Sequence, residues 1–327
     1  MATGIVSLAA HQLGMLSISG VLFQINIVAY SVLWFLTILR LVKYPQQFFD
    51  DMSNHLRGPG FFTTVAATCI LGGQFVLLAD NYRTGTTLWM TALLLWIGLT
   101  YTIFIGLTVK EYKPTLDKGI SGAWLLAVVA TQSIAVLSAL LAPHLDQPIK
   151  QEMNFLALSM WLWGGMLYIW MMSLIFYRYT FFPLSPEDFS PPYWINMGAM
   201  AISTLAGSLL IINVPDAPFL ISMLPFIKGF TVLYWVTGTW WISMLVVLAV
   251  WRHLYKKFPI KYDPLYWGAI FPLGMYAVST KQMSEALRLN FLSLLPPIFF
   301  YIALVAWAAA FSGLILDLIR RFCASRL

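Results

Sequence analysis

Ten apolar segments follow one another along almost the whole chain, separated by short connections that contain most of the prolines. A helix needs roughly 20 apolar residues to cross about 30 Å of hydrocarbon. Charged residues are only 10% of the chain, against about 25% in a soluble domain. We therefore predict an all-α membrane protein, one integral membrane domain over residues 1–327. Its ten transmembrane helices are predicted at 1–13, 22–41, 60–79, 87–108, 122–142, 155–176, 194–212, 229–251, 267–286 and 292–316.

The first segment is shorter than a membrane span. It predicts either further residues upstream of Met1 or a helix that continues toward Ser17. Because no basic region precedes it, we expect no cleavable signal peptide and assign targeting to the later spans.

Lysine and arginine are distributed unevenly between the two sides of this layout. Fourteen of the 19 basic residues follow even-numbered spans. The other five lie on the opposite side, in connections after odd-numbered spans or near the outer end of the ninth span, and are Arg83, Lys150, Lys228, Lys281 and Arg288. Cytoplasmic loops carry an excess of basic residues. The bias predicts a multi-pass protein of the cell membrane with both termini in the cytoplasm.

Side-chain size alternates between successive spans. Odd-numbered spans contain small and hydroxyl residues four apart, whereas even-numbered spans contain tryptophan and phenylalanine, which suit lipid contact. One interpretation is close helix packing. The other is five helical hairpins whose odd helices line a central pore in each protomer, with pore-lining candidates Thr3, Ser7, Thr64, Thr68, Ser203 and Gly207.

Residues that perform enzymatic chemistry are not assembled within the spans. The acidic residues fall in connections or near span ends, Cys69 and Cys323 form no ligand cluster, and basic residues form no stripe. We therefore expect no enzymatic activity, no cofactor, no metal site and no nucleic-acid partner. An uncharged conduit would suit passive movement of an anion, because no fixed negative charge repels it.

The ninth span contains the most informative local sequence, WGAIFPLG over residues 267–274. Pro272 cannot donate a backbone hydrogen bond, so the helix is expected to bend there. Phe271 precedes the bend and could turn its ring into a lumen as a gate, with Gly268 and Gly274 as further lining candidates. The alternative is a packing phenylalanine beside a passive bend.

Three stretches resemble the tellurite-resistance and C4-dicarboxylate transporter family, which includes fungal malate and sulfite exporters and the plant slow anion channel. They are MATGIVSLAA at 1–10, PPYWINMGAMAISTLAG at 191–207 and WGAIFPLGMYAVST at 267–280. The resemblance implies a homotrimer with one pore per protomer and five hairpins in quasi-fivefold order. It also implies that Phe271 occludes the pore.

Two transport mechanisms remain open at this stage. The first is a gated channel that favours weakly hydrated monovalent anions. The second is a proton-coupled carrier that exports C4-dicarboxylates such as malate, or sulfite. Lys281 lies ten residues beyond Phe271, about 15 Å along a helix, and is predicted to attract small inorganic or organic anions at the outer mouth.

Overall fold

The computed structural model describes residues 1–259 and 261–324, and within this part the regular structure is entirely helical. Each of the ten predicted segments falls in a helix, and two short helices occur in connections. The helices are α1 (Ala2–Gln12), α2 (Leu16–Lys43), α3 (Pro45–Met52), α4 (Phe62–Ala79), α5 (Tyr82–Val109), α6 (Leu116–Gly119), α7 (Leu126–Leu141), α8 (Ile149–Phe181), α9 (Ile195–Ile212), α10 (Phe219–Val250), α11 (Trp267–Leu287) and α12 (Leu295–Ala324).

Eight of these helices, taken with their flanking turns, are long and apolar enough to cross a membrane. Helices α1 and α11 are the exceptions among the ten predicted spans. Helix α1 has 11 residues, about 16 Å at 1.5 Å per residue. It does not continue toward Ser17, because Gly14 adopts a positive φ of 76° and α2 begins at Leu16.

Several helices extend well beyond their apolar segments. Helix α5 begins at Tyr82 because the Asn81 side chain accepts a hydrogen bond from the Thr84 amide at 2.9 Å. Helix α10 includes Pro225 in its second turn and runs for 32 residues, about 48 Å. Caps and polar ends therefore place these boundaries outside the windows that hydropathy defines.

The ten helices that correspond to the predicted spans divide into a buried set and an exposed set. The most apolar windows of α4, α7 and α9 are 61–94% buried, whereas those of α2, α5, α10 and α12 are 17–22% buried. Helix α8 is intermediate at 50%. Almost every residue of α1 and the middle of α11 are also buried. We call α1, α4, α7, α9 and α11 the inner helices and α2, α5, α8, α10 and α12 the outer helices.

The inner helices contact one another in a closed ring. Helix α1 packs against α4, α4 against α7, α7 against α9, α9 against α11, and α11 returns to α1. Each inner helix also packs against the outer helix that follows it in the chain. The core of the protein is therefore the ring and its contacts with a surrounding outer layer.

Candidate functional site

Each outer helix hydrogen-bonds the next inner helix through at least one aromatic side chain. Tyr30 contacts the hydroxyl of Thr68 at 2.9 Å, and Trp96 donates to Thr131 at 2.8 Å. Trp161 donates to the Ser203 carbonyl at 2.8 Å, Trp235 to Thr280 at 2.9 Å, and Trp307 to Thr3 at 3.0 Å. The last contact joins α12 to α1, so these aromatic anchors run around the entire ring.

The anchors correct the prediction that the bulky aromatics of even-numbered spans contact lipid. Trp161 is fully buried against inner helix α9, and Trp241 is 4% exposed because it packs against Phe176 and Tyr179 of the neighbouring outer helix α8. Trp163 and Trp240 remain exposed at 38% and 55%. Sequence reasoning missed the division because an indole can serve either surface, and only the tertiary partner decides which.

Most of the hydroxyl residues proposed to line a pore contact neighbouring helices or their own backbone. Thr3 and Thr68 accept the aromatic anchors, and Ser7 donates to the Ser19 carbonyl of α2 at 2.8 Å. Thr64 donates to the Phe61 carbonyl and Ser203 to the Ala199 carbonyl, each at 2.8 Å. These contacts place Thr3, Ser7 and Thr68 on the side of the ring that faces the outer layer.

The glycines also allow close helix approach. A methyl group on Gly207 would collide with Thr231 of α10 and with Trp161. A methyl group on Gly198 of α9 would lie 2.9 Å from Cγ of Pro272 and 3.2 Å from its Cα. Gly198 therefore provides the space in which the proline of α11 packs.

Phe271 is fully buried within α11. On a helix, residues nine apart lie on opposite faces, since each residue turns the chain by about 100°. Thr280, nine residues later, accepts the anchor from α10, so Phe271 projects from the opposite face. Gly268 and Gly274 lie three residues to either side and share that face. A methyl group on Gly274 would meet Ile5 of α1 at 3.0 Å.

The interior faces of the other inner helices follow from the same anchors. A residue two positions beyond an anchor residue lies about 160° around the helix. Ile5, Ile70 and Leu205 stand two positions beyond Thr3, Thr68 and Ser203 and are at most 7% exposed. The same positions in α7 and α11 are the uncharged polar residues Ser133 and Gln282. The face turned away from the outer layer is therefore uncharged, and it is apolar at this level on three of the five inner helices.

The inner helices contain almost no ionisable charge. Lysine, arginine, aspartate and glutamate are absent from α1, α4, α7 and α9, and α11 contains only Lys281 and Glu285. These two side chains form an ion pair of 3.1 Å near the end of α11. Lys281 is 33% exposed, and its charge is partly compensated by its neighbour.

Two further features at the basic end of the bundle were not predicted. Asp51 of α3 pairs with Arg40 and, at 2.7 Å, with Arg57. The hydrogen bond from Arg57 lowers the pKa of Asp51, aided by Arg40 and opposed by partial burial. Arg252, in a π-helical turn that follows α10, is 8% exposed. No sequence signal distinguished it from the other loop arginines.

Comparison with known protein families gives a clear match for this chain. A family model named SLAC1 and described as a voltage-dependent anion channel matches residues 1–315. The chain belongs to the SLAC1 family. The resemblance drawn from three short stretches is thus confirmed along the chain, and the SLAC1 match supports anion transport as the general function.

Named relatives agree with this membership. An uncharacterized transporter of Methanocaldococcus jannaschii is 28% identical over 265 residues, which cover 80% of this chain and 75% of the relative. A second uncharacterized transporter from the same organism is 24% identical over 290 residues, which cover 88% of this chain and 80% of the relative. An uncharacterized membrane protein of Mycobacterium tuberculosis H37Rv is 35% identical over 149 residues, which cover 46% of this chain and 75% of the relative. The chain is a multi-pass membrane protein of a transporter and channel family.

Proposed function

We propose that this SLAC1-family protein is a passive, gated anion channel whose conduit runs through the ring of inner helices. In this proposal the five inner and five outer helices form five hairpins across the cell membrane, and the eight long apolar helices span it completely. Both termini are cytoplasmic, and three copies form a homotrimer with one conduit each. The observation that carries the proposal is the closed ring of five helices with a nearly charge-free interior and Phe271 buried inside it.

Phe271 is the proposed gate, and Pro272 is the element that positions it. Pro272 is fixed against α9 by its contact with Gly198. The phenyl group of Phe271 points away from the outer layer, toward the helix faces that hold Ile5 and Leu205. In this proposal the conduit opens when the Phe271 side chain moves aside.

The proposed lining is uncharged and mostly apolar, with Gly268 and Gly274 beside the gate. Thr3, Ser7, Thr68 and Gly207 hold the outer layer in place instead. An uncharged narrow passage removes water from an ion and returns little compensation, so weakly hydrated monovalent anions should pass best.

Lys281 is the proposed outer-mouth cation. Its pairing with Glu285 weakens its attraction for anions. A dicarboxylate would need stronger compensation inside the ring than one paired lysine offers. This is the reason to prefer the channel over the malate or sulfite carrier.

Reversal potentials in planar bilayers test the proposal. We expect nitrate and iodide to be more permeant than chloride, malate to be nearly impermeant, and currents to persist without a proton gradient. A saturable malate flux in proteoliposomes that requires a proton gradient would establish the carrier instead.

A further inference from the structure

A small cavity lies at the basic end of the bundle, between the ends of α9, α10 and α11. Its volume is about 40 Å³, and its lining includes Ser190, Trp194, Ala249, Arg252 and Ala269. A single water needs about 10–15 Å³ by this measure. The cavity thus has room for roughly three water-sized groups.

Arg252 lines this cavity with a buried side chain whose Nε is unpaired. The residue is more than nine-tenths buried, and its Nε has no hydrogen-bond partner. Within residues 1–259 and 261–324, Arg252 forms no ion pair with a carboxylate. Its guanidinium instead lies over the ring of Phe258, whose centroid is 4.3 Å from Cζ.

Two acidic residues close in sequence to the cavity lining have hydrogen-bond or ion-pair partners other than Arg252. Asp188 pairs with Arg178 at 3.2 Å and accepts from the Ser185 hydroxyl at 2.8 Å. Asp263 accepts from the Leu265 amide at 2.8 Å. Neither compensates Arg252. A buried arginine without an anionic partner is costly, and this cost points to a ligand of opposite charge.

The cavity lies outside the ring interior. Ala269 precedes Tyr276 by seven residues and shares its helix face, and the Tyr276 hydroxyl contacts Thr239 of α10 at 2.8 Å. Phe271 projects from another face. An ion beside Ala269 would therefore touch the outer side of α11.

We propose that Arg252 binds a small planar oxyanion in this cavity, as a site separate from the proposed conduit. The guanidinium fork matches the geometry of planar oxygens, and the cavity volume suits an ion the size of nitrate or bicarbonate. The Ser190 segment and Trp194 enclose it from the side of α9.

Thermal unfolding of the purified full chain in lipid nanodiscs tests the site with nitrate as the probe. Nitrate replaces gluconate at constant sodium and ionic strength. We expect a saturable rise in melting temperature of about 2–4 °C. The Arg252→Gln variant should lose this rise, whereas Lys256→Gln, an exposed neighbour with the same change of charge, should keep it.

A second variant keeps the test decisive if Arg252→Gln does not fold. Ala249→Leu fills the cavity while it preserves the guanidinium, and it should also abolish the rise. A nitrate-dependent rise that survives in Arg252→Gln, or in a folded Ala249→Leu, would overturn the proposal. An equal loss in Lys256→Gln would overturn it too.

The melting measurement does not depend on transport, so failure of the proposed function would leave it interpretable. Where the parent conducts anions, flux through Arg252→Gln should stay within about twofold of the parent. An abolished flux in a folded Arg252→Gln variant would place Arg252 in the conduit and contradict a separate site.

Discussion

At the scale of single residues, small side chains in this protein serve close packing. Gly198 receives Pro272, Gly207 receives Thr231, and Thr3 accepts an indole from α12. A larger side chain at either glycine would collide with its neighbour, and an apolar side chain at Thr3 would leave the buried Trp307 indole without an acceptor. The hydroxyl and glycine pattern of the inner helices is thereby explained by their contacts.

The Gly198→Ala variant tests this account of packing. The added methyl group would lie 2.9 Å from Pro272 Cγ, and overpacking of this kind costs about 1–3 kcal/mol. We expect a lower melting temperature in detergent. Gly98→Ala is the matched control, because no heavy atom lies within 4 Å of that methyl position, and it should be neutral or stabilising. A Gly198→Ala protein as stable as the parent would contradict the packing role.

At the scale of helices, the aromatic anchors connect the two layers. In lipid, apolar contact between helices gains little over contact with acyl chains, so hydrogen bonds and close packing direct helix association. The five anchors fix how each outer helix is rotated about its own axis and how far it is shifted along the neighbouring inner helix. The arrangement holds the inner helices in place without charged residues.

Loss of one anchor should lower the free energy of unfolding. Thr3→Val preserves volume but removes the acceptor of the buried Trp307 indole, which we expect to cost about 1 kcal/mol. Thr237→Val is the control, since Thr237 is only partly buried and donates to the Leu233 carbonyl of its own helix. Guanidinium unfolding in detergent compares the two. Equal free energies of unfolding for Thr3→Val and Thr237→Val would show that the anchor does not stabilise the protein.

The ion pairs of α3 give a pH dependence of known sign. The folded pKa of Asp51 is lowered, so its contribution to stability is present above its ordinary value of 3.8 and is lost as pH falls through the folded value. Melting temperatures between pH 7 and pH 3 should therefore differ between parent and Asp51→Asn at neutral pH and converge in acid. A constant difference over this range would contradict the ion pairs.

Sequence patterns predicted the elements of this fold better than their orientations. Length and hydropathy are local properties, so the ten helical segments and their membrane character were predictable from residues such as those at 122–142. The face of each helix depends on tertiary partners. A threonine at helical spacing fits a lumen or an indole equally well, which is why Thr68 could not be assigned. Arg252 was missed because its burial depends on a π-helical turn.

At the scale of the whole molecule, exposed apolar surface covers the outer helices and charge is concentrated at the helix ends. The excess of basic residues predicts which end faces the cytoplasm. Anions that approach the conduit would then meet the paired Lys281 on one side and a basic rim on the other. This asymmetry is a property of the bundle, since individual inner helices carry almost no charge.

The two native cysteines test the proposed orientation without new substitutions. Cys323 is exposed near the end of α12, whereas Cys69 is buried in α4. A membrane-impermeant maleimide should leave intact cells unlabelled and label the protein after permeabilisation. Cys323→Ser should then abolish labelling, because Cys69 is inaccessible. Labelling of Cys323 in intact cells would reverse the orientation.

The central claim is that Phe271 closes a passage through the ring, and the single-channel conductance of Phe271→Ala tests it most directly. We expect at least a tenfold increase over the parent in planar bilayers with nitrate as charge carrier. Phe300→Ala removes an equally buried ring from outer helix α12 and should leave conductance unchanged. Unaltered currents through a folded Phe271→Ala protein, or an equal increase in Phe300→Ala, would contradict the account.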